Sequence, residues 1–305
     1  MKRAIAAYRA GLSGYETLGS LVYSAVRFRK RARCAFGNFN GEWREALVVA
    51  MNGPTLEADL DRIHDAFPSN EAVDFAVANH FADTDYFSQC KPRHYFFSDP
   101  YFWDNASDAK LIEKRLATFD RISSQTTWPM RIYFPVHANA SVFDDSFSDH
   151  DHVDLRPFNA AGLPANYGPL LAAAWRRNLC APFGQNVLIH VVYGGVQLGY
   201  RQIAIAGAGF SFHEQIHVDQ RSNAFMKRRR HVYGDSVELA FLDQSKTEPA
   251  TVVTEFKALY NAFRSLEAVA HYGKASGCHI VNHSEYSYLD MFDRPAGPYM
   301  SREML

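Results

Sequence analysis

Several short apolar runs in this 305-residue chain stop abruptly at polar, turn-forming residues. Residues 46–51 lead into Asn52-Gly53-Pro54-Thr55, residues 73–78 into Asn79, residues 94–97 into Ser98-Asp99-Pro100, and residues 279–281 into Asn282. The first of these turns carries the clearest chemistry. A glycine lets backbone approach a ligand closely, the helix start that follows presents N–H groups to an anionic phosphate, and Asn52 and Thr55 add side-chain hydrogen bonds. That is a nucleotide-binding reading. The turn is neither GxGxxG nor a P-loop, so an ordinary strand-to-helix connection explains the same residues.

A second group lies at 227–236, Lys-Arg-Arg-Arg-His-Val-Tyr-Gly-Asp-Ser, which sets titratable His231 and Asp235 beside a basic run. The cations of 227–230, Arg229 and Arg230 among them, can neutralise a leaving phosphate or an anionic acceptor. The plainer account is His231 capping a helix next to a solvated arginine run. Three acidic or histidine-rich patterns suggest metals. His213-Glu214 with His217 and Asp219 fits no helix-borne ligand spacing, Asp83-Thr84-Asp85 reads as a surface turn, and 149–152 (Asp-His-Asp-His) reads as a hydrated loop. No metal and no cofactor is expected.

The elements that must position these residues follow from periodicity. Residues 46–51, 73–78, 94–97, 130–136, 202–206 and 279–281 read as strands, and helical spacing covers 56–66, 109–119, 186–198 and 250–272. Strands alternating with helices, each strand ending in polar residues, predict an α/β fold: a Rossmann-like, mostly parallel sheet flanked by helices with function at the strands' carboxyl ends. The stretches 139–169 and 210–236 have little periodicity and read as lid-like irregular segments within a catalytic domain spanning 37–305.

Residues 1–36 form a separate unit. Ile5, Tyr8, Leu12, Tyr15, Leu18, Val22 and Val26 recur at spacings of three and four, an amphipathic helix, and the first 33 residues hold eight basic side chains against the single acid Glu16. Such a helix suits an anionic membrane surface; it equally suits packing on the protein's own core. The remaining chain is acidic overall, which argues against nucleic acid as a partner. With no long apolar run and no signal-peptide pattern, the expected location is cytoplasmic, peripheral on the inner face of the plasma membrane. The scattered Cys34, Cys90, Cys180 and Cys278 read as free thiols.

The stretch VVAMNGPTL resembles the strand and Gly-Asn-Gly-Pro-Ser-Leu loop that holds the CMP-sugar in the bacterial sialyltransferases of glycosyltransferase family 42, with Met51 in place of the loop's first glycine. Asn79 in AVANHF matches a nucleotide-contacting asparagine of that family, and Asp99 in FFSDPYF stands where it has an Asn before Pro. VVYGGVQLGYRQIAIAGAGF is similar to a family helix and strand end, with Gly209 replacing an aspartate. The pieces span about 46–292 in the family's order and exclude the N-terminal helix.

The resemblance implies roles. Asn52, Gly53, Pro54, Thr55, Asn79, Asp99, Asn282 and Ser284 would bind the nucleotide. The segment 228–236 is similar to the family's His-x-x-Gly-His-Ser stretch, whose second histidine is its proposed general base; Asp235 holds that place and His231 the first, so either can be the base. The family sets two tyrosines at the phosphate; His213, a further catalytic candidate, and Tyr233 can substitute, with Arg229 and Arg230. The implied activity is inverting, metal-independent transfer of a nonulosonic acid from a CMP-sugar donor to a glycan or glycolipid acceptor such as lipopolysaccharide or capsule. Two alternatives stand beside it: a pterin diphosphokinase-like enzyme using ATP and Mg²⁺, and a glycan- or nucleotide-binding protein that has lost catalysis, for which the replaced base and Gly209 speak.

Overall fold

The computed structural model describes residues 2–28, 36, 44, 46–66, 73–231, 234–240 and 250–295, with the backbone alone for 2–10, 27–28, 65–66, 228–231 and 234–240. Seven strands form one sheet: β1 (Ala46–Ala50), β2 (Val73–Ala78), β3 (His94–Phe96), β4 (Met130–Pro135), β5 (Val153–Phe158), β6 (Gln202–Ala206) and, last in the chain, His279–Asn282. We call that last strand β10, because β7 (Ile216–Val218), β8 (Phe225–His231) and β9 (Gly234–Ala240) form a separate antiparallel sheet. The main order is β10-β6-β1-β2-β3-β4-β5, and every pairing in it is parallel. This is the Rossmann-like α/β fold expected from the alternation of strands and helices.

Side-chain alternation in the strands feeds two cores. Leu47, Val49, Ile203 and Ile205 face α7 (Val187–Leu198) and α8 (Val252–Ala275), whereas Val48, Ala50, Ala204 and Ala206 face α2 (Leu56–Ala66), α4 (Ala109–Gln125) and α5 (Ser141–Phe147). Burial on both faces explains why these strands read as continuous apolar runs. Successive crossovers carry the chain from β1 outward to β5; it then returns past β1 to lay down β6 and β10 on the other side. Strand order therefore reverses between β1 and β6, the crevice where such sheets bind ligands.

Both segments expected to be irregular contain regular structure. Residues 139–169 hold α5 and β5, because Val142, Phe143 and Phe147 pack on the core although Asp and Ser surround them in sequence. β5 is an edge strand, half exposed, and its polar alternation hides it. Residues 210–236 hold a 3-10 turn (Phe212–Gln215) and strands β7, β8 and the start of β9; antiparallel backbone pairing holds this sheet. His231 thus lies in a strand, and not at the helix cap suggested by its neighbours. The N-terminal helix α1 runs Lys2–Phe28 through three glycines.

A closed polar network sits at the sheet's other end, where strands begin. The fully buried His94 imidazole contacts the Tyr200 hydroxyl at 2.7 Å and the Tyr133 hydroxyl at 3.2 Å, and Tyr200 donates to Asp74 at 2.7 Å, which pairs with Arg93 at 3.1 Å. Burial, assisted by the Arg93 and Arg131 charges, pushes His94 down to about 3, and burial pushes His190 down to about 4. Both histidines stay neutral in the native state while the unfolded chain takes up protons near pH 6.5. Stability is therefore complete above that pH and is lost as pH falls from 6.5 toward 4. We expect about 1 kcal/mol of loss per histidine between pH 6.5 and 5.5. Thermal melts across that range check this, and His94→Gln should flatten the dependence.

Candidate functional site

At the switch point two connections press together. The Met51 amide donates to the Ala206 carbonyl at 2.9 Å, and the Gly53 amide donates to the Gly207 carbonyl at 2.8 Å. A Cβ on Gly53 would lie 2.2 Å from the Gly207 carbonyl oxygen, and one on Gly207, which has φ +64°, would lie 2.1 Å from that of Met51. The close approach that Gly53 allows is thus made to a second stretch of backbone, and its amide is already spent there.

The turn is clasped from below by a residue that motif reading passed over. Asp59, in the first turn of α2, is 0% exposed. Its Oδ2 accepts from the Thr55 hydroxyl at 2.7 Å and the Gly207 amide at 2.8 Å; its Oδ1 accepts from the Glu285 amide at 2.9 Å and from Arg62 at 2.8 Å. Arg62 also reaches Glu285 at 2.8 Å. One carboxylate thereby ties α2 to the loops that leave β6 and β10. Its only sequence signal is an acid in the first turns of a helix that follows a candidate phosphate loop.

The expected nucleotide residues divide into two groups. Asn52, Asn79 and Asp99 gather at the strand ends. Val49 pairs with Ala76 across β1 and β2, so Asn52 and Asn79, each three residues further on, leave adjacent strands at one level. Asn79 takes a left-handed φ of 52°, its carbonyl accepts the Tyr95 hydroxyl at 2.6 Å, and its Nδ2 donates to Asp99 at 2.6 Å. The Oδ1 atoms of both asparagines are buried without a hydrogen-bond partner. Asn282 and Ser284, by contrast, are 0% exposed and satisfied inside the fold. Asn282 accepts from the Ser284 amide at 3.0 Å and donates to Ser287 at 2.9 Å, while the Ser284 hydroxyl accepts from the Ala208 amide at 2.9 Å. They brace the loop. Pro54 is exposed, and the Thr55 hydroxyl is committed to Asp59.

His213 is brought beside residues the sequence did not single out. Its ring stands edge-on to Tyr288 with centroids 4.3 Å apart, and Glu214 accepts from the hydroxyls of both Tyr286 and Tyr288. Those two bonds, the Tyr286 one first, hold the Glu214 carboxyl below its usual range, and the bond to Glu214 pushes the Tyr288 hydroxyl up. The Tyr288 amide donates to Gly209 at 3.0 Å, so this cluster adjoins the loop leaving β6. The Tyr-Ser-Tyr spacing after β10 is the signal that could have found it. Arg229, Arg230, His231 and Asp235 lie on the β8–β9 hairpin, where His231 pairs with Gly234; their side chains, and all of Tyr233, lie outside the described residues.

Among the described residues no group of three or more His, Cys, Asp or Glu is placed to hold a metal. Asp83 of the acidic triplet instead meets His80, Thr118 and Arg121, and His150 of the 149–152 stretch contacts the Ser123 carbonyl at 3.0 Å. Burial pushes the free Cys90, Cys180 and Cys278 thiols up to about 12, which keeps them from acting as nucleophiles near neutrality; Cys34 lies outside the described residues.

No protein-family model matches the chain, and no curated protein matches it in sequence. Among solved structures, the MAf glycosyltransferase from Magnetospirillum magneticum AMB-1 superposes with a TM-score of 0.46 at 11% identity over 95% of this chain. The chain spans 39% of that structure's length.

The clasp predicts a pair of stability effects. Asp59→Asn turns one oxygen into a donor facing other donors and should cost about 3–5 kcal/mol, a drop in melting temperature on the order of 10 °C. Gly53→Ala should destabilise the ligand-free protein as well, because its new methyl meets backbone. Calorimetry without added nucleotide checks both.

Proposed function

We propose that the chain is an inverting, metal-independent glycosyltransferase that takes its sugar, a nonulosonic acid, from a CMP-activated donor and passes it to a glycan or glycolipid acceptor. The observation that carries this reading is the pair of partnerless amide oxygens of Asn52 and Asn79, side by side at the carboxyl ends of β1 and β2, next to the switch point. Burying such an acceptor unpaired costs about 1–3 kcal/mol, a cost that a ligand with N–H or O–H donors removes. A cytosine amine and ribose hydroxyls are such donors. Asp99, bonded to Asn79, and the exposed turn at Pro54 complete the candidate nucleotide contacts.

In the proposed reaction an acceptor hydroxyl oxygen attacks the anomeric carbon as the bond from that carbon to the phosphate oxygen of CMP breaks. The hydroxyl proton passes to a base, and the bonding electrons leave with CMP. His231 or Asp235, at the closing end of the β8–β9 hairpin, is the proposed base. Arg229 and Arg230 on the same hairpin, and Tyr233 next in sequence, are proposed to face the phosphate, together with the Tyr286 and Tyr288 hydroxyls that Glu214 orients beside His213.

Thermal-shift titrations with CMP, UDP, GDP and ATP, each with Mg²⁺ and with chelator, test the donor. We expect stabilisation by CMP that is indifferent to chelator, and CMP release when a CMP-sugar and an acceptor glycan are supplied. Stabilisation by ATP only with Mg²⁺ would transfer the site to a nucleotide-dependent kinase. Asn52→Ala separates a ligand role from a structural one. It should leave the ligand-free melting temperature unchanged or slightly higher, because a partnerless atom contributes nothing to the empty fold, and should weaken CMP binding about five- to tenfold.

A further inference from the structure

We infer that the outer face built by α1 and α8 is a docking surface for an anionic lipid bilayer. This goes beyond the donor reading and does not depend on it. The starting point is that α1 is turned inside out. The residues it presents to the body are small and hydroxylated: Ser13, Thr17, Ser20 and Ser24 are 5%, 0%, 1% and 0% exposed. Its large apolar residues point away, with Tyr15 77%, Leu18 57%, Val22 53% and Val26 74% exposed. From Tyr15 to Val26, the stripe that in sequence suited either the protein's own core or a membrane is therefore not used by the core.

Polar contacts hold the helix in this orientation. Ser13 donates to the Asn166 carbonyl at 2.7 Å, and Glu16 accepts from the Asn166 amide at 2.7 Å and pairs with Arg264 of α8. Arg264 in turn donates to the Asn166 side chain at 3.1 Å. Such bonds have fixed geometry, so they set the rotation of α1 about its axis in a way that apolar packing would not.

α8 continues the face. Val253, Phe256 and Tyr260 are 75%, 51% and 62% exposed, and they share one side of the helix with Lys257, Asn261 and Arg264. Those last three line, with Tyr15, Leu18 and Val22, an open and mostly apolar groove of about 1070 Å³ between the two helices. A groove of that size can seat an acyl chain.

Charge decides the occupant. The first 33 residues hold eight basic side chains and one acid, and that acid, Glu16, is already paired with Arg264. The chain continues from Val26 into Arg27, Arg29, Lys30, Arg31 and Arg33, and Lys257 is exposed on the opposite wall. A second copy docking by two-fold symmetry would set basic against basic. An anionic leaflet complements the face, each basic residue near its surface raising partition about fivefold. Among the described residues no helix is long and apolar enough to cross a membrane, so the two helices would lie in the interface with their apolar side chains at the boundary between headgroups and chains.

Co-sedimentation of the full chain with vesicles tests this directly. Vesicles of phosphatidylcholine mixed with phosphatidylglycerol are compared with phosphatidylcholine alone, at low and high salt, with no nucleotide present. We expect partition onto the anionic vesicles that weakens with salt and falls roughly tenfold or more in Leu18→Asp/Val22→Asp and in Phe256→Asp/Tyr260→Asp. Lys257→Glu, which touches no apolar packing, should lower it about fivefold or more and guards against a misfolded aspartate variant; circular dichroism confirms the fold of each. Failure to bind anionic vesicles overturns the proposal. So does binding that the α8 variants leave unchanged, or a dimer in gel filtration that Leu18→Asp/Val22→Asp converts to monomer with no vesicle binding in the parent.

Discussion

The loops that leave β1, β6 and β10 are all tied to the carboxylate of Asp59. A fully buried charge persists only where its oxygens are supplied with donors, and here Thr55, Arg62 and the amides of Gly207 and Glu285 supply them. These donors come from α2 and from the exits of β6 and β10, so satisfying one side chain fixes three connections relative to one another. The mutual contact of Gly53 and Gly207 follows from the same constraint, since a clasp this short leaves no room for a β-carbon between the two turns. The two turns that meet at the switch point are held together by a charge buried beneath them.

The two ends of the sheet manage their polar groups in opposite ways. Where strands begin, His94, Tyr200, Tyr133, Asp74 and Arg93 form a connected network, the arrangement expected of a structural base. Where strands end, Asn52 and Asn79 keep acceptors without donors, and Asp99 accepts from the amide of Asn79.

α8 links this end to the outer face. Its Phe263 packs against Phe210 in the loop leaving β6, its Glu255 pairs with Lys227 of β8, and its Val253, Phe256 and Tyr260 face outward. The helix that walls the candidate site is thus also half of the apolar surface.

The sequence by itself marked the parallel α/β class and six of the seven strands of the main sheet, because doubly buried parallel strands must be written as apolar runs and their exits as polar turns; the half-exposed edge strand β5 carries no such run. It also marked Asn52, Asn79 and Asp99 as residues at the strands' carboxyl ends, since each follows such a run, and the fold places them together there. Tertiary structure alone decided that Gly53 spends its freedom on Gly207, that Asn282 and Ser284 brace a loop from within, and that Asp59 joins segments some 150 and 220 residues distant in the chain. It decided the partners of His213, since Tyr286 and Tyr288 arrive from beyond β10. And it decided which way α1 faces: helical periodicity shows that one side is apolar, but the bonds that Glu16 accepts from distant Arg264 and Asn166, and the one that Ser13 donates to Asn166, choose which side meets the body. Periodicity is a local property of the chain, whereas the donors and acceptors that settle these choices come from residues that only folding brings within reach.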